Sequence, residues 1–219
     1  HNYDKTYFRI CKGNIHSIRF KVPTPDRWNI LQKRGIDCEF KGWRDSGDYI
    51  LLCPSSPTVT YHINGISQDE WCKQVNEELL KVTDRPIKFR NKPRPGNQWW
   101  ETDVKDDLKN AWCVITNMSL AAIDGILNVT PGFTHNRHVA YPVTSRDISK
   151  VEKPLKPGRK TIQEWLHMIS HHQFTIQEIE DGTAYDCLKV QYEIRYYKKI
   201  DGWRWLGFLL AMIGAFILS

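Results

Sequence analysis

Residues 112–127 read WCVITNMSLAAIDGIL, and the junction inside this stretch decides the fold. Trp112-Cys113-Val114-Ile115 is an uninterrupted apolar run, as expected of a strand covered on both faces of a parallel sheet. Asn117-Met118-Ser119 turns the chain, and Leu120 to Leu127 reads as a helix rich in small residues. A strand that passes through so short a turn into a helix is half of a βαβ unit.

The same alternation extends outward on both sides. Tyr49 to Cys53 is a second apolar run, closed by Pro54-Ser55-Ser56. Ser67 N-caps a helix with Glu70 at the capping-box position, and Trp71, Cys72, Val75, Leu79 and Val82 form its apolar face. Pro86 to Phe89 is the next strand, Thr102 to Ala111 a polar helix, and Thr130 to Phe133 a short fourth strand. The order β-α-β-α-β-α-β predicts an α/β fold, a Rossmann-like doubly wound parallel sheet with flanking helices over residues 48–182.

The flanks read differently. Residues 1–47 carry two expected short strands, Tyr7 to Ile10 and Ile15 to Val22. After a loop with Pro142, Pro154 and Pro157, a helix is expected over 161–173 with its stripe at Ile162, Trp165, Leu166 and Ile169. His167 and His171 would then face solvent on the opposite side, and no metal is expected there. A last helical region is expected from Thr175 onward, with residues 183–219 as a C-terminal helix with a hydrophobic tail.

Composition sets the boundary conditions. With 41% hydrophobic and 26% charged residues, the 219-residue chain can build an ordinary globular core. Its net charge of +6 suits anionic partners, although the charge is spread without a basic block and serves solubility equally well. The six cysteines are widely spaced with no CxxC pair, which reads as reduced thiols in a cytoplasmic protein. Lys198-Lys199, Trp203, Trp205 and the uncharged run from Leu206 resemble a membrane-interface anchor over 203–219. Fourteen helical residues reach about 21 Å against roughly 30 Å of hydrocarbon, so peripheral contact is expected, or else a helix packed on the domain.

Ligands of parallel α/β sheets bind beyond the carboxyl ends of the strands. Asn117, Met118 and Ser119 occupy such an end, where a helix N-terminus can receive phosphate. Asn117 and Ser119 also read as plain helix caps. Arg90 and Lys92 follow the second strand, where Arg90 can fork onto a phosphate or stand as a solvated surface charge.

The phrases DYILLCPSS (48–56), DRPIKFRNKP (84–93), DDLKNAWCVITNMSLAAIDGI (106–126) and HHQFTIQEIEDG (171–182) resemble a group of glycosyltransferase-like proteins encoded by bacteriophages and bacteria. More distantly the chain is similar to capsular-polysaccharide transferases, over roughly residues 26 to 182. The resemblance implies a GT-B enzyme whose C-terminal half grips a nucleotide-sugar donor, with the acceptor and catalytic base supplied by the N-terminal half. Donor-binding residues carried over are Arg90, Asn117, Ser119 and Asp124, with Pro131 on the closing strand. Lys92 and Met118 complete the expected donor site, and Asp124 would hold a ribose or sugar hydroxyl. No metal or further cofactor is implied, the catalytic residues are unassigned, and the acceptor, a glycan or a modified nucleobase, is unidentified.

The chain also departs from the pattern. Met118 intrudes between Asn and Ser, Asp124 replaces Glu, Gly125 stands in place of Ala, and Gly132 in place of a β-branched residue. Residues 1–47 are short for an acceptor domain, so they read as its remnant or its end. The alternative to an enzyme is a non-catalytic nucleotide- or glycan-binding module, associated with a membrane or a virion.

Overall fold

The computed structural model describes residues 7–11, 24–36, 39–94, 96–98 and 101–192. The strand expected at Ile15 to Val22 and the tail at 203–219 lie outside the described residues. In chain order the elements are β1 (Phe8–Arg9), α1 (Asp26–Lys33), β2 (Tyr49–Leu52), α2 (Pro57–Asn64), α3 (Gln68–Leu79), β3 (Ile87–Phe89) and α4 (Val104–Leu108). They continue with β4 (Ala111–Ile115), α5 (Ala121–Leu127), β5 (Gly132–Phe133), α6 (Arg159–Ser170), β6 (Gln173–Phe174), α7 (Ile176–Glu180) and α8 (Thr183–Tyr192). Single 3-10 turns at Tyr141–Val143 and Ile148–Lys150 interrupt the long connection before α6.

β2 to β5 form a four-stranded parallel sheet in the order β3-β2-β4-β5, an α/β arrangement compatible with a Rossmann-like fold. The two central strands are those with continuous apolar sequence, because helices cover both of their faces. Ile50, Leu52, Cys113 and Ile115 pack under Trp71, Val75 and Leu79 of α3. Leu51, Cys53 and Val114 face the other way, onto Leu108 and Ala121. The pairing slips between Tyr49↔Ala111 and Ile50↔Cys113, which leaves Trp112 as a bulge residue. Its indole N–H donates to the Val151 carbonyl (2.8 Å), and the Arg85 guanidinium lies 4.4 Å over its ring.

α3 starts as its sequence predicts, with Ser67 Oγ accepting from Glu70 N–H at 3.1 Å. α5 lies close on β4: a Cβ at Gly125 would stand 2.7 Å from Val114 Cγ1 and 3.2 Å from the Thr130 carbonyl. That contact is the physical reason for glycine where the resemblance expects alanine. α5 ends in a Schellman motif, with Thr130 N–H on the Gly125 carbonyl (2.8 Å) and Val129 N–H on that of Ile126 (3.2 Å). Val129 occupies the left-handed position at φ 60°, which a β-branched residue rarely adopts.

A third layer comes from both ends of the chain. Trp28 of α1 and Phe40 share a core with Ala122 and Ile126 of α5 and with Ile162, Trp165 and Leu166 of α6. β1 pairs antiparallel with β6, Phe8 opposite Phe174. Beneath this pair the buried Arg27 donates to Glu178 Oε1 (2.7 Å) and Oε2 (3.1 Å), and Arg34 adds a contact at 3.2 Å. Glu178 also closes a capping box with Thr175.

Three expectations need correction. α2 was not expected at all; its sequence, PTVTYHIN, is rich in β-branched residues. The helix expected to 173 stops at Ser170 and is followed by β6, and the region after Thr175 is two helices parted at Gly182 rather than one. Finally, His171 is 6% exposed and not on a solvent face: its Nε2 lies 2.9 Å from the Thr24 carbonyl. His167 is half-buried against Gln163 and the Trp28 ring. His171 lies just past the end of α6 against Thr24, and His167 against Trp28 of α1, contacts that the periodicity of α6 cannot reveal.

Candidate functional site

The chain leaves β2 toward β3 on one side of the sheet and leaves β4 toward β5 on the other. This reversal between β2 and β4, at the carboxyl ends of the strands, is where parallel α/β sheets have their ligand crevice. Pro54-Ser55-Ser56 and Thr116 to Leu120 are the two loops that meet there.

The crevice is held by a polar network around Asn117, which is 2% exposed. Asn117 Oδ1 accepts from Ser55 N–H (2.9 Å) and Met118 N–H (3.0 Å), while Nδ2 donates to Thr60 Oγ1 and Asn64 Oδ1, both at 3.1 Å. All the hydrogen-bonding positions of the amide are thereby filled. Ser55 Oγ accepts from Met118 N–H (3.0 Å), and the Ser55 carbonyl accepts from Gln68. Ser119 N–H donates to Thr116 Oγ1 (2.9 Å), and its Oγ accepts from Ala121 N–H (3.3 Å). Asn117 and Ser119 thus act as the rivets and caps of this end, and the Met118 side chain is buried.

A third loop, after β5, joins the same end. His135 N–H donates to the Asn117 carbonyl (3.2 Å), and a tight turn follows in which His138 N–H meets the His135 carbonyl (2.9 Å). His138 Nδ1 accepts from Ala140 N–H, so Nε2 carries the proton and donates to the Ser119 carbonyl at 3.0 Å. By the same logic His135 Nδ1, accepting from Arg137 N–H (3.1 Å), leaves Nε2–H as the outward donor. Burial, and then the nearby Arg137 charge, hold the His135 imidazole below its ordinary range.

The remaining expected site residues take no part in this hydrogen-bond network. Arg90 follows β3 and is 4% exposed. Its forked contacts go to Thr102, at 2.8 Å to the carbonyl and 3.1 Å to Oγ1, and to the Asp107 carboxylate, which Lys88 also pairs. Burial raises the Asp107 carboxyl, but the bonds from Lys88 and Arg90 outweigh it and hold the group below its usual range. Arg90 therefore pins α4 to the end of β3, because a buried guanidinium must be paired. Lys92 is exposed in the loop after β3. Asp124 is half-buried in the first turn of α5; burial, and then Asp103, raise its carboxyl. Burial pushes the thiol of Cys53, just past β2, up to about 12 and keeps it protonated.

Neither families nor relatives identify this crevice. No family model, curated protein or solved structure matches the chain. Among the described residues no group of three or more His, Cys, Asp or Glu side chains is placed to hold a metal ion. No helix among them is long and apolar enough to cross a membrane. A hollow of about 440 Å³ lined by Val82 to Pro86 and Glu152 lies at the entry to β3, away from the carboxyl ends, and Glu152 there is already paired with Arg85.

Sequence reading missed Ser55, Thr60, Asn64, Gln68, His135, Arg137 and His138. The one signal for the last three was the polar run THNRH directly after a short strand.

Proposed function

We propose that the crevice between residues 53–56 and 116–120 binds a nucleotide-sugar donor, and that the chain is the donor-binding part of a GT-B-type glycosyltransferase. The observation that carries this reading is the strand order β3-β2-β4-β5, whose reversal between β2 and β4 is the place where parallel α/β sheets take their ligands. The resemblance of these same loops to glycosyltransferase-like proteins supplies the ligand class. Asp124, half-buried at the start of α5, is suited to accept from a ribose or sugar hydroxyl. The catalytic task of such a site is to stabilise the charge of the departing nucleotide.

One observation favours the second reading, a module that binds without turnover. Arg90, Asn117 and Ser119 already spend their hydrogen bonds within the chain. Calorimetric titration of UDP, GDP, CMP and ADP sugars into the full chain tests both readings. Binding of one donor is expected, with release of free sugar or transfer for the enzyme and binding alone for the module. Failure of all four to bind would remove the crevice from consideration.

For residues 203–219 we propose peripheral contact with a membrane, on the sequence grounds of an apolar run flanked by Trp and Lys. Flotation of the full chain with liposomes, lost in a chain ending at Gly202, is the expected result. A full chain that never floats would refute it.

A further inference from the structure

We propose that the loop after β5, through Arg137 and the Nε2–H of His135, holds the diphosphate of the nucleotide in the crevice; this rests on the crevice reading above. Charge is the first argument. The three loops that meet at this end read CPSS (53–56), TNMSL (116–120) and THNRH (134–138). They contain no carboxylate, and Arg137 is their one permanent cation. A diphosphate placed here meets no fixed negative charge from these loops and a single guanidinium able to fork onto it.

Geometry is the second argument. The turn His135–His138 is buttoned to the loop after β4 at both ends, by His135 N–H on the Asn117 carbonyl and by His138 Nε2–H on the Ser119 carbonyl. Arg137, the third residue of that turn, is exposed and makes no ion pair among the described residues. Arg90, the alternative cation, is buried and committed to Asp107 and Thr102. The tautomer of His135 adds a donor: Nδ1 is occupied by Arg137 N–H, so the proton sits on Nε2, which has no hydrogen-bond partner among the described residues. A neutral N–H donor beside a guanidinium suits phosphate oxygens without requiring a second charge.

The test is calorimetric titration of the full chain with UDP, GDP, CDP and ADP, with the matching nucleosides, and with inorganic pyrophosphate. One nucleoside diphosphate is expected to bind. Arg137→Gln should weaken it by about ten- to a hundredfold, the worth of a charge-assisted contact. It should leave the nucleoside's affinity and the melting temperature unchanged, because Arg137 is exposed. His135→Ala should weaken the diphosphate as well, and His135→Gln, which keeps an N–H donor, should recover part of the loss. If the wild type binds a nucleoside diphosphate and Arg137→Gln binds it equally well, this assignment falls while the crevice reading stands. Pyrophosphate binding as tightly as the nucleotide would mean an adventitious ion only, and would also overturn it. If no nucleotide binds the wild type, the crevice reading itself fails.

Discussion

Replacing Glu178 with glutamine keeps the shape of the side chain and removes the charge that Arg27 was buried to meet. The carboxylate accepts from Arg27 at 2.7 and 3.1 Å, from Arg34 at 3.2 Å, and from Thr175 N–H at 2.9 Å. Burial alone would raise its pKa, but these bonds and the two arginine charges outweigh burial and bring it from 4.5 down to about 2. A depression of that size corresponds to about 3 kcal/mol of folding free energy. Removing one partner of a buried ion pair costs about 3–5 kcal/mol, so the two routes agree. Against a typical total of roughly 5–15 kcal/mol this is a large fraction.

The sign follows from the depressed pKa. Glu178's contribution is fully present above the unfolded value near 4.5 and is lost as pH falls toward 2. His172 acts in a different window: burial lowers it from 6.5 to about 4, so its proton uptake on unfolding erodes stability between those values. Urea unfolding of wild type and Glu178→Gln from pH 7 to pH 2 therefore separates the two. Their stability curves should differ by about 3 kcal/mol at neutral pH, run parallel down to about pH 5, and converge below it. Variants equal at pH 7, or curves that stay parallel to pH 2, would refute the assignment of this pair as the clamp between α1 and the C-terminal helices.

Four further substitutions test the rest of the structure. Asn117→Ala strands the buried partners of one amide and should cost about 3 kcal/mol in urea unfolding, whatever it does to binding. Arg90→Ala should cost a similar amount, about 3 kcal/mol, by leaving Asp107 without its buried partner; a loss below about 0.5 kcal/mol would return Arg90 to the list of solvated charges. Gly125→Ala should destabilise by about 1–3 kcal/mol in thermal melts despite alanine's better helix propensity, because its Cβ meets Val114. Val129→Gly should be more stable than Val129→Ala by about 1 kcal/mol, the reverse of the usual order, since only the left-handed backbone favours glycine there.

Much of the sheet was legible because each central strand is a continuous apolar run and each large helix carries an apolar face. Those local patterns report which sides of an element are buried. α2 was missed because its residues favour extended structure; Pro57 at its first turn and Gly65 past its end were the available marks. What holds it helical is tertiary, since Thr60 and Asn64 bond the Asn117 amide more than fifty residues away. Gln68 reaches Ser55 in the same way, and nothing in the spacing of either residue announces the pair.

The sequence by itself determined the α/β class, the strand–turn–helix at 112–127 and which loops lie at the carboxyl end of the sheet. Only the tertiary structure decided which polar groups at that end are free. Arg90 and Arg137 look alike as residues following short strands, yet one is buried against Asp107 and the other stands exposed on a turn. The difference depends on what lies opposite each side chain. Local periodicity carries no information about that, because the opposing residue comes from another element whose place is set by the strand order β3-β2-β4-β5.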